Sequence, residues 1–286
     1  MFRFPVVKAK RFLRDMRGQS KPKLISADDG HSYIVKFSNN PMGVRILVNE
    51  LVSALLLQIL GIRTPEVALV SFDEETLAKN PEIGIATTIG LIAPHVGLHF
   101  GSRHPEPMEV AVYDLLPDKM FSRLTDQDHF LGALVFDKWV SNSGVRQAIF
   151  YRPPEERHFV AEMIGHAWAF RGPNWTFFDA ASKGLYPRLG VYGSRPRLDD
   201  FDPWLDKVMG LDAKIFQSLF DAVPQAWIAG QEEQFSNILM ILQSRTERLP
   251  ELLEESLAYI QEGRRNPVPV EQPVKQLDTS EECVQA

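Results

Sequence analysis

The sequence predicts an α+β fold in two lobes, strand-rich around one helix first and mainly helical afterwards. Three observations carry this. Alternating β-branched and aromatic residues recur between Val6 and Phe37, broken by small-residue and Asp-Gly turns. An apolar stripe at helical spacing follows, with Leu47, Leu51, Leu55 and Ile59 on one face. From Leu198 to Ile260 nearly every segment has a 3.6-residue period, punctuated by Pro224 and Pro250. The expected division is residues 1–100, 101–262 and a polar, disordered tail over 263–286.

The 286 residues are 44% hydrophobic and 24% charged, an ordinary globular balance. A net charge of −6 argues against nucleic-acid binding. Cys283 is the single cysteine, so an intrachain disulfide or a Cys-based zinc site is excluded and a reducing, cytoplasmic compartment is expected. The first residues lack a signal-peptide core, and no run approaches the roughly 20 apolar residues of a membrane span. A soluble protein with no membrane role is expected.

In order, Val6 to Met16 reads as a basic–apolar strand. Its surroundings hold Lys8, Lys10, Arg11, Arg14, Arg17, Lys21 and Lys23, taken as a solvated face in preference to an anion site. Arg17-Gly18-Gln19-Ser20 breaks the chain, and Ser20 is a candidate ligand contact in that turn. Lys21 to Ala27 is the second strand, and Asp28-Asp29-Gly30 a hairpin turn. Ser32 to Phe37 is the third strand, with Tyr33, Val35 and Phe37 on one face and Ile34 and Lys36 on the other. Gly43 to Leu60 is a helix stopped by Gly61. Glu50 lies beside its stripe; it is either a surface glutamate or, with the helix packed on the sheet, a partner for Lys36.

Pro65 to Phe72 is a further strand, Asp73 to Asn80 a short acidic helix, and Ile83 to Leu91 one strand. Val96 to Pro105 is expected to be a loop joining the lobes, with anion contact through Ser102 and Arg103 as the alternative. Asp126 is the expected N-cap of a helix through Trp139. Leu131 to Arg171 then reads as helix, tight polar loop, hairpin and second polar loop. Two loops at the same end of a strand pair can face one pocket. Both carry glycine, Gly144 and Gly165, where a reactive carboxylate is looked for.

The meander, YIVKF, a helix carrying Asn49-Glu50, the FGSR segment, FDKWVSN-x-x-x-R and MIGHAWAF together resemble the HipA-like kinase family, of protein-kinase-like fold, over about residues 5–260. The resemblance implies that Lys36 contacts ATP phosphates and that Glu50 holds it. It also implies an aspartate after the loop asparagine, a metal-holding Asn a few residues on, and a second aspartate binding Mg²⁺ after the hairpin. This chain keeps Asn142 and Arg146 but has Gly144 and Gly165 at the two aspartate positions, and Gln147-Ala148-Ile149 follows Arg146. Glycine offers no side chain to a hard cation or to a proton. The expectation is therefore a pseudokinase that takes ATP, through Lys36, Glu50, Ser20, Ser102 and Arg103, with Mg²⁺ doubtful and a protein partner in place of turnover.

Four residues could rebuild a metal site. Asp137 is read instead as pairing with Arg146 or Lys138, His166 as a structural histidine, and Glu162 and Asp179 as undetermined in direction. An active phosphotransferase with rearranged ligands and a non-kinase enzyme or scaffold on the same fold are the alternatives.

Overall fold

The computed structural model describes residues 2–88 and 90–265. The expected tail and Cys283 lie outside them, save that the last helix runs through Gly263 to Arg265.

Strands β1 (Val6–Asp15), β2 (Lys23–Ala27) and β3 (Ser32–Lys36) form the expected antiparallel meander. The turn between β2 and β3 is fastened by Asp29, which accepts from the His31 N–H (3.0 Å) and the Tyr33 hydroxyl (2.7 Å). Alternation sorts the third strand as read. Tyr33 and Val35, with Phe37 just beyond, are buried in one apolar cluster, while Ile34 and Lys36 are half-buried on the other face.

Helix α1 (Arg45–Ile59) packs on that other face. It has no solvent-facing side from Ile46 to Leu57, because the C-terminal lobe covers what the sheet does not. The expected one-sided stripe is thus a helix buried all round, and its polar members Asn49, Glu50 and Ser53 are buried with it.

Strand β4 (Val67–Phe72) leads to α2 (Glu74–Lys79), capped by Asp73 accepting from the Thr76 N–H at 2.8 Å. The single strand expected over Ile83–Leu91 is a short hairpin instead, β5 (Ile85–Thr87) and β6 (Gly90–Ile92).

The larger correction concerns Val96–Pro105. It is a strand, β7 (Gly97–Arg103), inserted between β3 and β4, and it completes a closed barrel in the order β1-β2-β3-β7-β4. Its residues read as a loop because Gly, Ser, His and Arg are poor strand formers. The barrel interior dictates them. A Cβ at Gly101 would come within 2.6 Å of the Val70 side chain. His99 sits fully buried edge-on to Phe37 and Phe72, accepting from the Ser38 N–H (2.9 Å) and bonded to the His95 carbonyl (2.9 Å).

In the second lobe, β8 (Val112–Tyr113), β9 (Gln147–Tyr151) and β10 (Val160–Ile164) form a small antiparallel sheet. Helix α3 (His129–Trp139) precedes β9 and starts three residues after the expected cap. Asp126 does not cap it; its carboxylate accepts from Arg63 Nε at 2.7 Å. Helices α4 (Asp202–Met209), α5 (Ala213–Ala222), α6 (Gln225–Ile228), α7 (Glu232–Ser244) and α8 (Leu249–Arg265) complete the lobe. Trp139 donates to the Leu242 carbonyl (2.8 Å), and Trp227 to the Leu98 carbonyl on β7 (3.0 Å), so tryptophans pin both the lobe and its junction with the barrel. Among the described residues no helix is long and apolar enough to cross a membrane.

Candidate nucleotide site

A cavity of about 650 Å³ lies between the outer face of the barrel and the two loops flanking the β9–β10 hairpin. Lys36 reaches it because β3 alternation sends it to the outer face, and Glu50 because α1 crosses that face. The two side chains form an ion pair, Lys36 Nζ donating to Glu50 Oε1, with 12% and 3% of their side chains exposed. Ser20, Ser102 and Arg103 line the same cavity. Arg103, however, is neutralised by Glu66 (2.8 Å) and Glu106 (3.0 Å), so it offers little net charge to an anion.

The floor is one buried polar network. Arg146 Nε donates to Asp137 Oδ2 at 2.8 Å and its Nη2 to Oδ1. Asn142 Nδ2 donates to Asp137 Oδ1 (2.8 Å), and Asn142 Oδ1 accepts from the Gly144 N–H (2.9 Å). Arg146 Nη1 donates to the Ile164 carbonyl (3.0 Å) and faces His166 Nδ1 (3.0 Å). One guanidinium therefore ties the first loop to the second. Burial opposes its charge, and Asp137 outweighs that opposition and raises its pKa.

The residues that could have rebuilt a metal site are each engaged, two of them in this network. Asp137 pairs with Arg146, and Lys138 instead donates to the carbonyls of Ala180, Ala181 and Lys183. His166 is held neutral, its pKa pushed well below the ordinary value by burial and then by the Arg146 and Lys36 charges. Its Nδ1 lone pair is turned to a guanidinium, which leaves it a poor metal ligand. Glu162 accepts from the Tyr151 hydroxyl (3.0 Å) and does not line the cavity. Asp179 is paired with Arg245 and with Arg248 (3.0 Å).

The two glycines are filled by neighbours. A Cβ at Gly144 would meet Trp168 Cβ and Cδ1, each at 3.1 Å. Gly165 has φ +71°, and a Cβ there would meet Gln147 Oε1 at 2.6 Å. An indole and a carboxamide thus occupy the approach to the two expected carboxylate positions. Sequence reasoning passed over both. Gln147 was legible in part, since the β9–β10 register pairs it with Ile164, one residue from Gly165. Trp168 was not, because its placement depends on an irregular loop. Asn49 was missed as well. Its buried Nδ2 donates to the carbonyls of Ala167 (2.9 Å), Ala169 (3.0 Å) and Gly172 (3.1 Å), and its Oδ1 accepts from Trp175 Nε1 (2.9 Å).

Residues 10–171 match the family model for HipA-like kinases. The chain belongs to the HipA-like kinase family. Among solved structures, the Helicobacter pylori proinflammatory kinase CtkA shares the fold at a TM-score of 0.55 and 12% identity, over 88% of this chain and 99% of that one. The Golgi casein kinase with Mn/ADP bound matches at a TM-score of 0.44 and 13% identity, over 88% and 73%. The HipA of Shewanella oneidensis MR-1, in a complex with HipB and operator DNA, matches at 0.41 and 12%, over 82% and 61%. A search of curated proteins found no match. The two-lobed, kinase-like α+β fold follows from the family and from the first of these structures.

A nucleotide fits the cavity by volume and by the ammonium of Lys36. A hard divalent cation does not. The carboxylates lining the cavity are Glu50, committed to Lys36, and Asp114. Neither loop supplies a carboxylate of its own at Gly144 or Gly165, and a hard cation is held through such acids. The described residues hold one three-membered group of potential metal ligands, Asp126, Asp128 and His129, and none of the three lines the cavity.

Proposed function

We propose that this chain is a pseudokinase, which takes a nucleotide between its lobes and has given up metal-assisted phosphoryl transfer. One observation carries the reading. Both loops flanking the hairpin present glycine to the cavity, and the positions in front of them are filled by Trp168 and Gln147. Phosphoryl transfer draws nearly all its catalysis from positioning and charge stabilisation, so loss of both carboxylates removes its main sources. Asp137, Glu162, His166 and Asp179 are each bonded elsewhere, which weighs against an active enzyme with rearranged ligands. The Lys36–Glu50 pair and the contacts from Ser20 and Ser102 remain to hold ATP or a related nucleotide. The reading includes action through a protein partner in the cytoplasm, with no nucleic-acid or membrane role.

The test restores what is missing. Gly144→Asp with Gly165→Asp should create a Mg²⁺-dependent thermal shift with nucleotide that the parent lacks. Asp tolerates the left-handed conformation of Gly165 better than most residues, and Gln147 is a flexible side chain that can swing aside. Trp168→Ala is added to remove the ring atoms that crowd Gly144. A Mg²⁺-dependent shift already present in the parent would refute the reading.

A further inference from the structure

Four lysine and arginine side chains line the cavity: Arg17, Lys36, Arg103 and Arg146. Lys36 is paired with Glu50, Arg103 with Glu66 and Glu106, and Arg146 with Asp137. Arg17 differs. Among the described residues its side chain makes no ion pair and no hydrogen bond. It stands exposed on the turn between β1 and β2, and Ser20 of the same turn is buried against the same cavity. The turn is fastened at its base. The Met16 N–H donates to the Pro22 carbonyl (3.0 Å), and the Lys21 N–H to the Gly18 carbonyl (3.1 Å). Gly18 makes the bend at φ +141°, a conformation that residues with a side chain rarely adopt.

Asp114 lines the cavity as well. Burial pushes its carboxyl pKa up, and the Arg17 charge draws it part of the way back. The two groups are close enough to feel each other but are not bonded, so the guanidinium keeps all its donors for a ligand. The phosphates of a nucleotide need positive charge against them in a half-enclosed space. Kinases set metal ions there, and this chain has glycine, not an acid, at 144 and 165. A guanidinium can take over that task. It stays charged at any working pH, and its planar fork takes two phosphate oxygens at once. Lys36 adds less, because its ammonium already serves Glu50.

We infer that Arg17 holds the phosphates of the bound nucleotide in place of a metal ion, so that binding needs Arg17 and needs no divalent cation. This rests on the nucleotide-binding reading above and deepens it. Calorimetric titration of the full chain with ATP and with adenosine, both in EDTA, tests it. The parent should bind ATP more tightly than adenosine. Arg17→Gln, on an exposed turn, should weaken ATP binding about tenfold or more and leave adenosine unchanged. Arg17→Lys, which keeps the charge and loses the fork, should fall between the two. ATP bound by Arg17→Gln as tightly as by the parent would overturn the inference and leave nucleotide binding intact. An equal loss for ATP and adenosine would do the same, since Arg17 would then support the fold and not the phosphates. Failure of the parent to bind either compound in EDTA would overturn both the inference and the reading beneath it.

Discussion

Asp137 and Glu50 are both buried acids with a cationic partner, but they border different surroundings. Asp137 and Arg146 are sealed, with side chains 0% and 1% exposed, and the Asp137 carboxylate is bonded by Arg146 and Asn142. Removing one partner of such a pair strands the other charge. Asp137→Ala should therefore cost about 3–5 kcal/mol in urea unfolding. Adding Arg146→Met should recover part of that loss, because the stranded guanidinium goes too. A loss below about 1 kcal/mol would show that the pair is not the structural tie drawn here. Glu50 and Lys36 instead border the cavity, where a ligand can reach the ammonium. The sequence made that pair legible, since strand alternation and helix position put both on one face. It also showed the two glycines. It did not show what fills them, because Trp168 reaches Gly144 through backbone turns that no periodicity encodes.

At the scale of elements, α1 is held to the loop after β10 by Asn49. Three carbonyls and one indole N–H depend on that single carboxamide. Asn49→Leu orphans these buried groups and should cost at least about 2 kcal/mol. Hydrogen exchange should rise together over residues 45–59 and 166–175, while the barrel strands stay protected. Exchange rising in only one of the two segments would contradict the tie. The meander, α1 and the β9–β10 hairpin were readable from alternation and helical spacing. Strand β7 was not, because a barrel interior selected glycine and histidine where an open sheet would select β-branched residues. Asp126 misled in a similar way: its type suits a cap, but Arg63 claimed it through a tertiary contact.

At the scale of the whole molecule, the buried histidines contribute to how the protein responds to acid. Burial in the barrel lowers His99 from the ordinary 6.5 to about 4. His166 is lowered too, by burial and the neighbouring cations. Above pH 6.5 both states of the chain are neutral at His99. Between pH 6.5 and 4 the unfolded chain takes up a proton that the folded chain refuses, so stability falls with pH, by about 2 kcal/mol at pH 5 from His99 alone. Urea midpoints at pH 7 and pH 5 measure this. His99→Gln, which keeps a donor and an acceptor but does not titrate, should flatten the dependence, and an unchanged slope would rule His99 out as its source.

Loss of phosphoryl transfer in a retained kinase fold is tested most directly by turnover. ATP hydrolysis and transfer to protein hydroxyls would be followed with Mg²⁺ and with Mn²⁺, for the parent chain and for Lys36→Ala. The expected result is turnover at background in both proteins. Turnover in the parent that Lys36→Ala abolishes would contradict the pseudokinase reading and place working chemistry in this cavity.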